Sequence, residues 1–408
     1  MENAFDTLQK RGFIEQATHE KEIRELLANK KITFYIGYDP TADSLHIGHY
    51  LTAMAMAHMQ RAGHRPIALM GGGTGVVGDP TDKTEMRRIM SKEEIDHNVS
   101  CFKKQFTRFI DFTDGKALLL NNADWLLELK YLPFIRDYGV HFSVNRMLTA
   151  DSYKTRFEQG LSFFEFNYQL LQAYDFLELY RKHDCVLQMG GRDQWSNIIA
   201  GIELIRRVEN KEAYGLTVSL LTKSDGSKMG KSLSGAVWLN AEKTSPYEFF
   251  QYWRNVDDPD VIRFLKLLTF LSLDEISQLE QLTGNEINKA KEILAFEITK
   301  NIHGEDEAVK ARNAARSLFA GAQLSGSVPE TEINPKDAQN GVSIIDLLIL
   351  GKLIQSRSEA RRLIEQGGVK INDVKVLSID HKLNLEDFNK PLMVQKGKKV
   401  FHRFIVKS

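Results

Sequence analysis

Cysteine is nearly missing from this chain: there are two in 408 residues, Cys101 and Cys185, far apart. That scarcity excludes a disulfide framework and a cysteine-based zinc site, fits a reducing compartment, and leaves both thiols as small buried hydrophobes. Long apolar runs are lacking too. The stretch around Ile344 to Leu350 is broken by Asp346 and falls far short of the ~20 residues a membrane span needs, so no membrane partner is expected. The opening Met1-Glu2-Asn3-Ala4-Phe5-Asp6 carries acids early and has no apolar core, so neither a signal nor a transit peptide is expected, and the location is expected to be cytoplasmic. Net charge is also absent, with 54 Lys and Arg against 54 Asp and Glu. A content of 42% hydrophobic and 26% charged residues excludes a disordered or fibrous chain, and the length suggests two or three domains.

The neutral balance conceals a division. From Gly341 to Ser408 there are 13 Lys and Arg against 7 Asp and Glu, leaving 41 against 47 in the rest. A small basic module thus follows a larger acidic body, a pattern that suits contact with nucleic acid but also arises from surface composition alone.

Residues 32–38 read as a buried strand breaking into Asp39-Pro40-Thr41. A helix is expected from about Leu45 to Ala62, with Ser44 or Asp43 as N-cap and Gly63 at its end. Arg65 to Met70 gives a second strand leading into Gly71-Gly72-Gly73-Thr74-Gly75, and the alternation returns at Cys185 to Met189. This pattern predicts a parallel α/β sheet with ligands bound beyond the carboxyl ends of its strands. From Pro246 onward the pattern is helical, residues 322–340 read as a linker, and Ser343 to Gln366 reads as helix–loop–helix.

Five constellations carry the chemistry. His46-Ile47-Gly48-His49 opens a helix, where unpaired backbone N–H groups and the dipole favour an anion such as phosphate. Gly48 within that helix implies a close approach to the backbone, for which a flat base is a candidate. Two capping histidines, or half of a zinc site, are the competing readings. Lys228-Met229-Gly230-Lys231-Ser232 is either a mobile clamp for a polyphosphate or a solvated basic loop. Gly73-Thr74-Gly75-Val76-Val77-Gly78 matches a dinucleotide-binding pattern, but Asp79 follows at once and puts a carboxylate where the phosphates would sit. That carboxylate suits an ammonium group, which counts against a dehydrogenase.

Tyr168, Gln172 and Asp175, spaced four and three apart, share one helix face with Leu161, Phe164, Leu171 and Leu179. Polar groups in an apolar stripe must satisfy one another or hydrogen-bond a ligand. In Gln188-Met189-Gly190-Gly191-Arg192-Asp193-Gln194-Trp195, a strand runs into paired glycines and an acid near a helix start. There Asp193 is placed to take both hydroxyls of a ribose or to serve as an N-cap.

Together with Tyr35 to Thr41, Leu45 to His49, Gly71 to Pro80 and Asn121-Asn122-Ala123-Asp124-Trp125, these motifs span nearly the whole chain. In that order and spacing the set resembles the class I aminoacyl-tRNA synthetases, specifically the bacterial tyrosine-specific branch. Ser356 to Ile364 and Gly368 to Asn372 resemble a small RNA-binding domain named after a small-subunit ribosomal protein. The resemblance implies a Rossmann-like catalytic domain over 1–245 with a dimer-interface insertion near 120–165, a helical anticodon-side domain over 246–321 and a basic RNA-binding domain over 341–408. It implies activation of L-tyrosine with ATP to tyrosyl-adenylate and pyrophosphate, then transfer to the terminal adenosine of tRNA(Tyr), in a homodimer. Mg²⁺ accompanying ATP is implied; no tightly bound cofactor and no protein metal site are expected.

By motif, Thr41, His46 and His49 would meet the phosphates and ribose, and Gly37, Gly48, Gly191 and Asp193 the rest of the nucleotide. Lys228, Lys231 and Ser232, with Lys83 and Arg87 opposite, would close on the leaving pyrophosphate. Asp79, Tyr168 and Gln172 would hold the α-ammonium, Tyr35 and Asp175 the phenolic hydroxyl, and Asp39, Asn122, Gln188 and Gln194 would complete the tyrosine pocket. A buried site built for a hydroxyl selects against phenylalanine, a rule for which this enzyme family is itself the usual illustration. Two departures stand out: glycine at the third place of the lysine motif, which also fits the tyrosine branch, and Ala123 where a larger pocket-wall residue is expected. The tryptophan-specific sibling is the nearest rival, and Tyr35, Asp175 and the basic tail count against it. An RNA-binding protein on the same scaffold is the rival from another class.

Overall fold

The computed structural model describes residues 3–79, 90–227, 229–232, 235–319, 329–372, 374–397 and 400–406. The chain divides into two units, Met1–Met229 with Ile262–Gln281, and Gly230–Val261 with Leu282–Ser408.

The first unit is built on a six-stranded sheet: β1 (Ile14–Ala17), β2 (Thr33–Tyr38), β3 (Arg65–Met70), β4 (Leu118–Asn121), β5 (Cys185–Gly191) and β6 (Tyr214–Val218). The spatial order is β1-β6-β5-β2-β3-β4, with only β1 antiparallel to its neighbour. β2 and β3 are almost wholly buried, as expected of parallel strands covered on both faces. The helices that matter for the site are α1 (Ile47–Arg61), α2 (Thr74–Val77), α3 (Lys92–Phe106), α4 (Tyr168–His183) and α5 (Trp195–Glu209). From β2 the chain winds through β3 to β4, then returns to place β5 on the other side of β2. Such a reversal opens a crevice at the carboxyl ends of β2 and β5, which is where α/β sheets bind ligands.

The helix after β2 starts later than the sequence suggests. Its N-cap is His46, not Ser44 or Asp43: Gly48 N–H donates to His46 Nδ1 and His46 N–H to His49 Nδ1, a reciprocal capping box. Ser44 turns its hydroxyl to the Leu45 carbonyl. The apolar stripe expected for α4 is also different. A separate turn, Phe163–Phe166, is closed by its own Ser162/Glu165 capping box, so Leu161 and Phe164 are not part of α4, and Phe164 is 41% exposed. Leu170, Ala173, Phe176, Leu177 and Leu179 form the buried face instead. Cys185 is buried as expected, Cys101 only half so.

Helices Val261–Leu268 and Leu273–Glu280 fall almost wholly in the first unit rather than in a separate helical region beginning at 246. Arg11 accounts for part of this, donating to the carbonyls of Lys266, Thr269 and Leu271.

In the second unit, Lys231–Ser232 pairs with Gly235–Ala236 as a short hairpin, and Pro246–Arg254, Ile287–His303 and Glu305–Phe319 form a helical layer. The chain then enters a five-stranded sheet ordered Val374–Lys375, Val369–Ile371, Leu392–Lys396, Val400–Val406, Glu330–Ile333, backed by Ile344–Leu350 and Arg357–Glu365. Glu330–Ile333 pairs parallel with Val400–Val406, and Pro335–Asn340 is helical, so the segment read as a linker over 322–340 is ordered secondary structure from Glu330. Among the described residues no helix is long and apolar enough to cross a membrane.

Candidate active site

A cavity of about 720 Å³ lies in the first unit at the carboxyl ends of β2 and β5. One end is lined by Tyr35, Asp39, Asp79, Asn122, Tyr168, Gln172, Asp175, Gln188 and Gln194; the other by Gly37, Thr41, His46, Gly48, His49, Gly191 and Asp193. The fold thus unites residues from 35 to 194. Lys83, Arg87 and Lys228 lie outside the described residues, and Lys231 and Ser232 belong to the second unit's hairpin.

At the first end, Tyr35 on β2 is in register with Gln188 on β5. Both are buried, and Tyr35 Oη and Gln188 Oε1 have no hydrogen-bond partner among the described residues. Buried polar atoms left in that state on a cavity wall are what a ligand would satisfy. Asp175, buried on α4, accepts from Asn122 Nδ2 at 2.8 Å and from Trp125 Nε1 at 2.7 Å. Burial pushes its pKa up to about 7, while those two donors hold it lower than burial alone would. Tyr35 is driven well above its ordinary value by burial, with the Asp175 charge adding to it.

The glycine loop after β3 does not act as a phosphate cradle. Gly72 N–H donates to Asn121 Oδ1 at 3.1 Å and Gly73 N–H to Asn122 Oδ1 at 2.7 Å. A Cβ on Gly72 would lie 2.2 Å from Asn121 Oδ1, so a side chain there would displace the Asn121 amide that holds this loop. Asn122 also donates to Thr74 Oγ1, which donates in turn to Asp39; Tyr168 Oη donates to the same Asp39 carboxylate at 3.2 Å. Asp79 accepts from Gln194 Nε2 at 2.7 Å, Gln172 donates to Gln194 Oε1 at 3.1 Å, and Asn197 Nδ2 donates to Gln172 Oε1 at 3.0 Å. Two acids, Asp39 and Asp79, and the Tyr168 phenol are thus held by a network that includes four side-chain amides, an arrangement suited to an ammonium group.

At the second end, the His46 and His49 rings stack 3.9 Å apart. Burial lowers the His46 pKa and keeps its imidazole neutral; with Nδ1 accepting from Gly48, its remaining nitrogen is a donor. A Cβ on Gly48 would lie 2.8 Å from the His46 ring, so on that side the capping histidine already fills the space beside this glycine. Asp193 occupies a single turn between β5 and α5. It is not the N-cap, a position held by Gln194; its carboxylate accepts from Gln194 Nε2 at 2.8 Å.

Thr74, Trp125 and Asn197 carry the network without being candidates in the sequence: Thr74 and Trp125 fall within motifs whose other residues draw the chemistry, and nothing local marks Asn197. Ala123 does not line the cavity; its N–H donates to Asn121 Oδ1, so the larger wall residue expected there has no counterpart in this pocket.

A largely parallel sheet with a crevice at its reversal, one end lined by buried acids, amides and phenols and the other opening on a histidine-capped helix N-terminus, has the form of an enzyme of the class I amino-acid-activating type. Comparison with known proteins agrees. Residues 27–320 match the model of the class I tRNA synthetases (W and Y), and residues 322–404 match the tyrosine–tRNA ligase SYY-like C-terminal domain. The chain is 59% identical over 404 residues to the tyrosine–tRNA ligase of Acetivibrio thermocellus and 60% identical over 405 residues to that of Lachnoclostridium phytofermentans, covering 99% of each chain in both cases. A C-terminally truncated mitochondrial tyrosyl-tRNA synthetase from Aspergillus nidulans superposes with a TM-score of 0.71 at 30% identity, over 78% of this chain and 95% of that one. The chain belongs to the class I tRNA synthetases (W and Y), in the tyrosine–tRNA ligase branch defined by that C-terminal domain.

Proposed function

We infer that this chain is a tyrosine–tRNA ligase that joins L-tyrosine to ATP and then to tRNA(Tyr). The observation that carries the amino-acid assignment is the buried Tyr35 hydroxyl, without a partner among the described residues, beside the buried Asp175 carboxylate on one cavity wall. A phenolic hydroxyl placed there donates to Asp175 and accepts from Tyr35. Tryptophan, with no hydroxyl, leaves the buried Tyr35 hydroxyl unsatisfied and Asp175 with Asn122 and Trp125 alone.

In this reading the ammonium group sits among Asp79, Tyr168 and Gln172, with Gln194 holding Asp79 and Asp39 holding Tyr168. The substrate carboxylate then lies toward the histidine end and attacks the α-phosphorus of ATP; the bond to the β-phosphate oxygen breaks and pyrophosphate leaves. No protein nucleophile takes part, so rate enhancement comes from positioning and from donors placed where charge develops. His46, His49 and Thr41 supply those donors, Gly48 lies against adenine, and Gly37, Gly191 and Asp193 take the ribose. Lys228, Lys231, Ser232, Lys83 and Arg87 meet the departing pyrophosphate on the strength of the family motif. Mg²⁺ enters bound to the nucleotide; among the described residues no group of three or more His, Cys, Asp or Glu is arranged to hold it. A homodimer with its interface near 120–165 is supported by Leu127, Tyr131, Leu132, Val140, Val144, Phe157 and Phe163, all exposed within that stretch. The basic C-terminal sheet domain is the RNA-binding part of this reading.

Amino-acid-dependent ATP–pyrophosphate exchange, run without tRNA across all twenty amino acids, tests the assignment. Tyrosine alone should support exchange. Exchange with tryptophan would overturn the reading of Tyr35 and Asp175, and no exchange from folded protein would favour an RNA-binding scaffold.

A further inference from the structure

The loop from Asp39 to His46 carries Thr41 and His46 to the cavity, yet its backbone is held largely from outside. Pro40, Ser44 and Leu45 are buried. The Pro40 carbonyl accepts from Asn98 Nδ2 at 2.8 Å, and Leu45 N–H donates to Gln105 Oε1 at 2.9 Å. Gln105 Nε2 also donates to Ser44 Oγ at 3.2 Å. Both amides belong to α3, on the face that carries Ile95, Val99, Phe102 and Phe106. An asparagine buried among those apolar residues carries a desolvation cost that its bond to Pro40 offsets. The same face supports the surroundings of His49: Phe102 packs against its ring at 5.8 Å between centroids, and Phe106 packs at 4.7 Å against Tyr38, which lies edge-on to His49.

We propose that Asn98 and Gln105 are positioning residues for nucleotide activation, setting the loop that presents Thr41 and His46 from two points along α3. This rests on the reading of His46 as a donor to the reacting phosphates. Asn98 fixes the loop one residue before Thr41, and Gln105 fixes it one residue before His46. Neither amide lines the cavity, so neither touches substrate. A loop held at only one of these points keeps its fold but lets the donors drift. Displacements near 1 Å at a reacting centre cost up to about 100-fold in rate. The tyrosine end draws on β2, β5, α4 and the residues after β4 and, among the described residues, takes no bond from either amide; Asp39, its one member in this loop, is held by Tyr168 and Thr74 instead.

The test is tyrosine-dependent ATP–pyrophosphate exchange with the full chain, alongside direct measurement of tyrosine binding. Asn98→Asp keeps shape but removes the donor to Pro40; Gln105→Met keeps length but removes the acceptor for Leu45. Each should lower kcat roughly 10- to 100-fold while the Kd for tyrosine stays within about twofold. Gln105→Glu keeps the acceptor and should restore most of the rate lost in Gln105→Met. Unchanged kcat in both variants, an equal loss of tyrosine binding, or failure of Gln105→Glu to recover would overturn the proposal. His46→Ala in the same assay separates the two levels: if it leaves kcat untouched, the reading of His46 fails and the positioning argument has no object.

Discussion

The proposed function gives the cavity a tyrosine end and a nucleotide end, and the two are built differently. At the tyrosine end, every acid is tied to a neutral donor on another element: Asp175 to Asn122 and Trp125, Asp39 to Tyr168 and Thr74, Asp79 to Gln194. At the nucleotide end, the donors belong to one helix start and one loop, with His46 and His49 bonded to each other's turn and the loop held by side chains of α3. The first end fixes charge in a buried frame before any substrate arrives, which is what discrimination between similar small molecules requires. The second leaves its donors half exposed beside a helix N-terminus, which suits phosphates that bind, react and leave. Recognition and reaction are thus served by different kinds of local order within one cavity.

The comparison breaks most readily at Asp175. Asp175→Ala removes the buried acceptor and leaves Asn122 and Trp125 without their partner; kcat/KM for tyrosine in the exchange reaction should fall on the order of 10³-fold. Unchanged activation kinetics would refute the assignment.

A smaller effect should follow from removing the C-terminal sheet domain, because neither end of the cavity draws a residue from it. The cut belongs before Pro329 rather than at Gly341, since Glu330–Ile333 is a strand of that sheet. Exchange should persist while charging of tRNA falls by roughly 10-fold or more, with the full chain's charging weakening as salt is raised. Equal loss of both steps would contradict this division.

The smallest effect is on stability. With its pKa raised to about 7, Asp175 holds a proton in the native state that the unfolded chain has released. Its contribution is therefore whole below about pH 4, falls away steadily as pH rises from there to about 7, by roughly 2–4 kcal/mol in all, and is gone above that. Asp175→Asn should flatten this slope, as read by denaturant unfolding at a series of pH values. An identical slope in the variant would place the titration elsewhere.

Much of the tyrosine end was legible because it is written in helical spacing. Tyr168, Gln172 and Asp175 declare one face of α4, and Asp79 after the glycine loop declares a carboxylate where a dinucleotide would need none. What was misread depended on distant partners. Ser44 looked like an N-cap because its neighbours alone cannot show that Gln105 takes the Leu45 N–H. The stretch from Leu161 to Leu179 looked like one helix, although Ser162 and Glu165 cap a separate turn whose Glu165 also pairs with the buried Arg156. Glu330–Ile333 looked like linker because its alternating polar sequence has little apolar signal, and its pairing strand lies some seventy residues further on.

By itself the sequence determined the alternation of strand and helix, the chemistry of each motif and the basic character of the tail, since periodicity, glycine and charge act over a few residues. Only the tertiary structure decided which buried donor meets which acid, that Asn121 and Asn122 occupy the glycine loop, and that α3 holds the loop before α1. The physical reason is burial. A polar atom removed from water must find its partner wherever the fold brings one, and that partner is set by packing rather than by sequence distance.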